Sequence, residues 1–192
     1  MFLCRKICLA HREFETFLTY KQNYRRKIMK KSKILFITQT ALIAAIYVVL
    51  VIAFQPISSG AVQVRIAECL TILPFFTPAA VPGLTIGCFL ANLLSGSSIF
   101  DIIFGTLATL IGAVGSHMLR RHKFLVPLPP IISNMIIVPL VLKYAFAETM
   151  PLWLLSLSIG AGELISCGVL GMVLLFALKK LKLPFQDPSQ AP

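Results

Sequence analysis

Long apolar runs constrain this chain more than any other feature. Residues 34–54 contain no charged side chain, and runs of similar character recur to the end of the sequence. A helix rises about 1.5 Å per residue, so roughly 20 apolar residues cross the hydrocarbon layer of a bilayer. No soluble domain of 192 residues needs so many runs of that length. With 57% hydrophobic and 13% charged side chains, the chain reads as an all-α integral membrane protein.

Six spans are predicted. They cover residues 34–54, 61–76, 78–94, a fourth from the turn "SGSSIFD" (95–101) to 119, then 124–143 and 151–178. The second is shorter and polar at its start, and it ends at Thr77-Pro78 because proline is tolerated only in a helix's first turn. Lys and Arg fix the orientation. Ten precede the first span, three lie in "RRHK" after the fourth, and three in "KKLK" after the sixth. Six spans place these sixteen of the eighteen basic residues on one face, which predicts cytoplasmic N and C termini. Arg65 and Lys143 fall on the other half.

The organisation expected is a basic extension (1–28), a membrane domain (29–183) and a tail (184–192). "MKKSKILF" from Met29 has the character of a translation start. On that reading the upstream residues are a misassigned start or a disordered tail, and the alternative is a basic helix lying on anionic lipid. The net charge of +11 does not indicate nucleic acid, because the basic residues punctuate apolar stretches instead of forming a polar surface. Five cysteines without CxxC spacing, namely Cys4, Cys8, Cys69, Cys88 and Cys167, predict no disulfide framework.

Polar side chains inside a span cost about 2.5 kcal/mol or more at the bilayer centre, so they normally face a bundle interior. Arg65 and Glu68 fall in the outer third of the second span, Asn92 near the outer end of the third, and Asp101 just past the next turn. Asn134 lies roughly 14 Å below Lys143, and Glu163 roughly 18 Å below Pro151. All six converge on the outer half and predict an outward-opening polar pocket. Four of them also have a plainer reading, which leaves Asn92 and Glu163 poorly explained. Arg65 and Glu68, three apart, could neutralise each other; Asp101 could cap a helix; Asn134 could bond a neighbouring helix.

Small residues recur every fourth position at Gly83, Gly87 and Ala91 and at Ala41 and Ala45. Such stripes allow close helix approach. The first set suits internal packing; the second suits either that or an external partner helix. There is no Walker loop, His-Glu-x-x-His or Gly-x-Ser-x-Gly. His117 and His122 lie at the inner boundary, and Ser116 beside His117 faces elsewhere on a helix. No catalytic group, metal site or cofactor is expected. A pocket without an ATPase belongs to an importer driven by an ion gradient or by partner ATPases. An intramembrane enzyme or a structural protein would make the polar set incidental.

The stretch "VQVRIAECLTILPFFTPAAVPGLTIGCFLANLLSG", followed by "FDIIFGTLATLIGA", resembles the queuosine-precursor transporter family of substrate-binding S components of energy-coupling-factor importers. The resemblance covers residues 30–183 and is most specific from Val64 through Asn92. It implies a multi-pass protein of the bacterial plasma membrane that captures a 7-deazaguanine, in the aminomethyl form. It also implies association through Ala41-x-x-x-Ala45 with a transmembrane coupling protein and two cytoplasmic ATPases. The chemistry is compatible. Glu163, Glu68 and Asp101 supply carboxylates for a guanine-like donor edge and an ammonium, while Asn92, Asn134 and Arg65 supply donors. Phe75, Phe76 or Phe100 could stack on the ring, although aromatics near the interface more often serve as anchors or core, and Trp153 reads as an interfacial anchor. Another water-soluble vitamin is the alternative ligand, and a self-sufficient secondary transporter the alternative mechanism.

Overall fold

The computed structural model describes residues 32–55, 65–145 and 149–181. The expected extension (1–28), the tail (184–192), Cys4 and Cys8 lie outside them. Contacts divide the chain into Met1–Thr38 and Gln39–Pro192.

Every regular element among the described residues is helical. In order they are α1 (Ser32–Gln55), a 3₁₀ helix (Ile66–Phe75), α2 (Ala80–Leu94), α3 (Asp101–Met118), α4 (Leu128–Ala145) and α5 (Leu152–Lys180). Three of them, α1, α3 and α5, are long and apolar enough to cross a membrane, whereas the others are shorter apolar helices. The exposed surface is hydrocarbon. Leu42, Ile46, Val49 and Ile52 on α1 and Leu157, Val169, Val173 and Phe176 on α5 all face outward. A chain that shows aliphatic side chains outside while burying Glu68, Asn134 and Glu163 inside is arranged for lipid.

The second apolar run departs most from expectation. It is a ten-residue 3₁₀ helix, although such helices seldom exceed one turn. Its backbone bonds run three residues back, as from Glu68 N–H to Arg65 O (2.9 Å) and from Phe76 N–H to Leu73 O (2.9 Å). Pro74 lies inside it and contributes no N–H. The tighter winding rises about 2.0 Å per residue, so ten residues reach roughly 20 Å where an α-helix would reach roughly 15 Å.

A period of three also sorts its side chains into rows. Ala67 and Leu70 enter a core with Ile43, Tyr47, Leu84 and Cys88. Ile72 and Phe75 enter a second core with Phe76, Val126 and Leu175. The remaining row, Arg65, Glu68 and Thr71, is polar and runs inward from one end.

Helix α4 begins at Leu128, later than the expected 124, because residues 119–127 form successive turns. Pro129 and Pro130 occupy its first helical turn, where their missing N–H groups would have no intrahelical partner. They also set its approach to α3. A Cβ on Gly115 would stand 2.5 Å from Pro129 Cβ, and one on Gly112 would stand 2.7 Å from Pro130 Cα. Neither proline ring can move aside freely. Gly115→Ala is therefore expected to cost about 1–3 kcal/mol through overpacking, read as a lower unfolding midpoint in detergent; an unchanged midpoint would show that the contact is slack.

The stripe at Gly83, Gly87 and Ala91 packs internally, as expected. A Cβ on Gly87 would meet Tyr47 Cβ at 2.9 Å and Ala44 Cα at 3.1 Å. The inward face of α1 is thus Ile43, Ala44 and Tyr47, while Ala41 and Ala45 remain exposed.

Candidate functional site

Helix α2 ends in a Schellman turn. The N–H of Ser97 bonds Asn92 O (3.0 Å), the N–H of Gly96 bonds Leu93 O (3.3 Å), and Gly96 takes the required positive φ of 67°. The turn folds Ser95 and Ser97 back beside Asn92 and leads into Asp101 at the head of α3. Asp101 does not cap that helix, because Phe100 N–H bonds Ser98 Oγ instead. The first turn of α3, Asp101–Gly105, is a wide π turn, a feature common at functional sites. A Cβ at Gly105 would approach Asn92 Nδ2 at 3.2 Å, and that amide donates to Asp101 O (3.3 Å).

Asn92, Ser95, Ser97 and Asp101 line a cavity of about 420 Å³. Tyr47, Phe54 and Gln55 of α1, Arg65 and Ala67 at the head of the 3₁₀ helix, and Val138 and Leu142 of α4 complete its wall. Small-molecule pockets run roughly 300–1,000 Å³, so the space suits a compact heterocycle. It carries a guanidinium, a carboxylate, an amide and hydroxyls in an otherwise aliphatic molecule. The hydroxyl oxygen of Ser95 is buried there with no partner among the described residues.

Behind Tyr47 a second set of polar groups continues inward. Tyr47 O–H donates to Glu68 Oε1 (2.8 Å), and Asn134 Nδ2–H donates to Glu163 Oε1 (2.8 Å). Between the two acids the Cys167 thiol lies 3.2 Å from Glu163 Oε2 and 3.3 Å from Glu68 O, with Thr71 Oγ1 at 3.4 Å. Glu68 Oε2 is buried without a hydrogen-bond partner. Immediately after Glu163, α5 widens into a second π segment, Leu164–Leu170, which carries Cys167. Glu68, Glu163, Asn134 and Cys167 are all buried.

The six polar residues singled out from the sequence thus fall into two adjoining groups. Arg65, Asn92 and Asp101 line the cavity; Glu68, Asn134 and Glu163 form the buried set next to it. The plainer reading of Arg65 and Glu68 as a closed pair is not met by a direct ion-pair contact among the described residues: Glu68 accepts from Tyr47 through one oxygen and has no hydrogen-bond partner at the other. Asn134 does bond across helices, but its partner is the Glu163 carboxylate.

Of the two readings of the phenylalanines, packing fits the structure better than stacking on a ligand. Phe75 and Phe76 form an edge-to-face pair (5.0 Å, 81°) inside a core, with Lys179 over the Phe75 ring at 5.3 Å. Phe100 belongs to an apolar groove with Phe104, Leu107 and Tyr144. The aromatic rings at the cavity are Tyr47 and Phe54. Tyr47 and Cys167 carry no signal in the sequence, since each sits in an apolar run and scores as one more apolar residue. His117 serves packing: its Nδ1–H donates to Pro74 O (2.9 Å), tying α3 to the 3₁₀ helix. The three described cysteines are free, as expected.

A helical array that presents hydrocarbon outward and encloses a polar recess defines a multi-pass membrane protein with an internal polar cavity. The family model described as QueT transporter matches residues 37–180, and the chain belongs to that family. It is 40% identical over 85 residues to the queuosine precursor transporter QueT of Lactococcus lactis subsp. cremoris (strain MG1363), over 43% of this chain and 50% of that protein. The chain spans about half the length of that curated relative. No solved structure matches it.

Proposed function

We propose that this chain is the membrane subunit that captures a queuosine precursor, a 7-aminomethyl-7-deazaguanine-like base, from outside the cell for ATP-driven uptake by an energy-coupling-factor importer. The observation that carries the reading is the cavity bounded by Arg65, Asn92 and Asp101 in a chain of the QueT transporter family. A deazaguanine presents an N–H and NH₂ edge suited to a carboxylate, a carbonyl suited to Arg65 or Asn92, and an ammonium suited to a second carboxylate. Asp101 meets the ligand from the wall, while Glu68, Glu163 and Asn134 act from the floor behind Tyr47. The site takes no cofactor.

In this reading the six helical segments are six spans of the bacterial plasma membrane with both termini inside. The alternation of helices supports it. The cavity lies at the end bearing Arg65 and Asp101, while Arg120, Arg121 and Lys123 follow the far end of α3, and Lys179 and Lys180 stand in the last turn of α5. Exposed Ala41 and Ala45 then offer α1 to a transmembrane coupling protein, which links the subunit to two ATPases.

Reconstitution tests the arrangement. Protein alone in liposomes should bind the base without concentrating it, and accumulation should require the coupling protein, both ATPases and ATP. Accumulation by the lone chain under a proton or sodium gradient would instead make it a self-sufficient transporter.

A further inference from the structure

The geometry around Cys167 points to a second use of the two buried acids, which the transport reading places on the floor of its pocket. We propose that Cys167, Glu163 and Glu68 form a binding site for a thiophilic divalent metal ion of the zinc class. One donor atom from each lies within 4.8 Å of the others, and all three residues are buried.

How the carboxylates are held carries the inference. Tyr47 O–H occupies Oε1 of Glu68 and Asn134 Nδ2–H occupies Oε1 of Glu163. Each acid thus has one oxygen fixed by a donor and one left over. The spare oxygen of Glu163 meets only the Cys167 thiol at 3.2 Å, and that of Glu68 meets no hydrogen-bond donor, although it is fully buried. Metal-bound side chains are oriented by this kind of outer hydrogen bond, and an unpartnered carboxylate oxygen away from water lacks a cation or a donor.

Zinc–sulfur and zinc–oxygen bonds near 2.3 and 2.0–2.2 Å place tetrahedral sulfur and oxygen donors about 3.5–3.7 Å apart; the Cys167–Glu163 pair at 3.2 Å is near that separation, and Glu68, whose donor atom lies within 4.8 Å of the others, closes in on the ion. The thiol selects against magnesium and calcium, which prefer oxygen donors alone. Binding would convert the thiol to a thiolate, with its proton released to water. Three protein donors leave a fourth position open on the metal.

Cobalt(II) is the probe, because a thiolate–cobalt bond gives a near-ultraviolet charge-transfer band. The full chain, purified in detergent, stripped with chelator and reduced, should show that band with one equivalent of cobalt. The apparent affinity should fall at least tenfold in Cys167→Ser and in Glu163→Gln, each checked for helix content by circular dichroism. Cys69→Ser should behave as the parent. Absence of the band, or a band that persists unchanged in Cys167→Ser, overturns the proposal. Should Cys167→Ser fail to fold, X-ray absorption of the cobalt-loaded parent decides: one sulfur and at least two oxygen neighbours are expected, and a shell without sulfur or with several overturns it. None of these readouts involves a deazapurine, so they stand or fall apart from the transport reading.

Discussion

Arg65→Ala should weaken binding of an aminomethyl-deazaguanine to the purified chain by roughly 10- to 100-fold while leaving the unfolding midpoint within a few degrees of the parent. The affinity term follows from losing a charged donor to the base, worth about 1.5–3 kcal/mol. The small stability term follows from what Arg65 does not do. It makes no ion pair with Glu68, whose oxygens are bonded to Tyr47 or left without a partner, and its side chain borders the cavity. Isothermal titration for the affinity and thermal unfolding for the midpoint, on matched preparations, separate the two quantities. Parent-like affinity would remove Arg65 from the site, and a collapsed midpoint would make it a structural residue.

Glu163→Gln should abolish detectable binding of the same base, a loss of 100-fold or more, and the protein should stay folded. Glu163 is buried, and its carboxylate is held by Asn134 and Cys167. Glutamine keeps the shape and an oxygen that can still accept from Asn134, but it cannot ionise, so it removes the carboxyl group that would answer the ligand's ammonium. Glu163→Ala should behave differently. It strands the Asn134 amide and opens a void, and is expected to lower stability by about 2–4 kcal/mol. The contrast between the two variants, read as unfolding midpoint against ligand-induced shift, tells charge from packing. Wild-type binding in Glu163→Gln would leave Glu163 with a structural role alone.

The helical framework was legible because lipid enforces a simple rule: a run long enough to cross must hide its backbone polar groups in a helix. Each of the six apolar runs holds a helical segment, with ends shifted by a few residues. The polar residues were legible for the same reason, since each stands out against aliphatic neighbours, and the structure places Arg65, Asn92 and Asp101 on one cavity and Glu68, Asn134 and Glu163 beside it. What the sequence hid was local winding. Nothing in "IAECLTILPF" announces ten residues of 3₁₀ helix, because Arg65 and Glu68 fall on one face at a period of either 3.0 or 3.6. The π segments at Asp101 and after Glu163 were hidden too, since each adds one residue to a turn without changing composition.

Tyr47 and Cys167 were missed because both are compatible with lipid, and only their partners Glu68 and Glu163 reveal them as polar. The stacking alternative for the phenylalanines errs in the opposite direction. Phe75 and Phe76 are close to Glu68 in sequence, but the threefold rows turn Phe75 into the second core, where Phe76 packs beside it.

The central claim is that side chains from several helices build one recess that takes a polar heterocycle. Equilibrium binding of 7-aminomethyl-7-deazaguanine to the chain in lipid nanodiscs, with water-soluble vitamins in parallel, tests it most directly. Saturable one-to-one binding of the base, weakened by Arg65→Ala and by Asp101→Asn and not displaced by the vitamins, is the predicted result. No saturable binding, or binding that neither substitution alters, would contradict it.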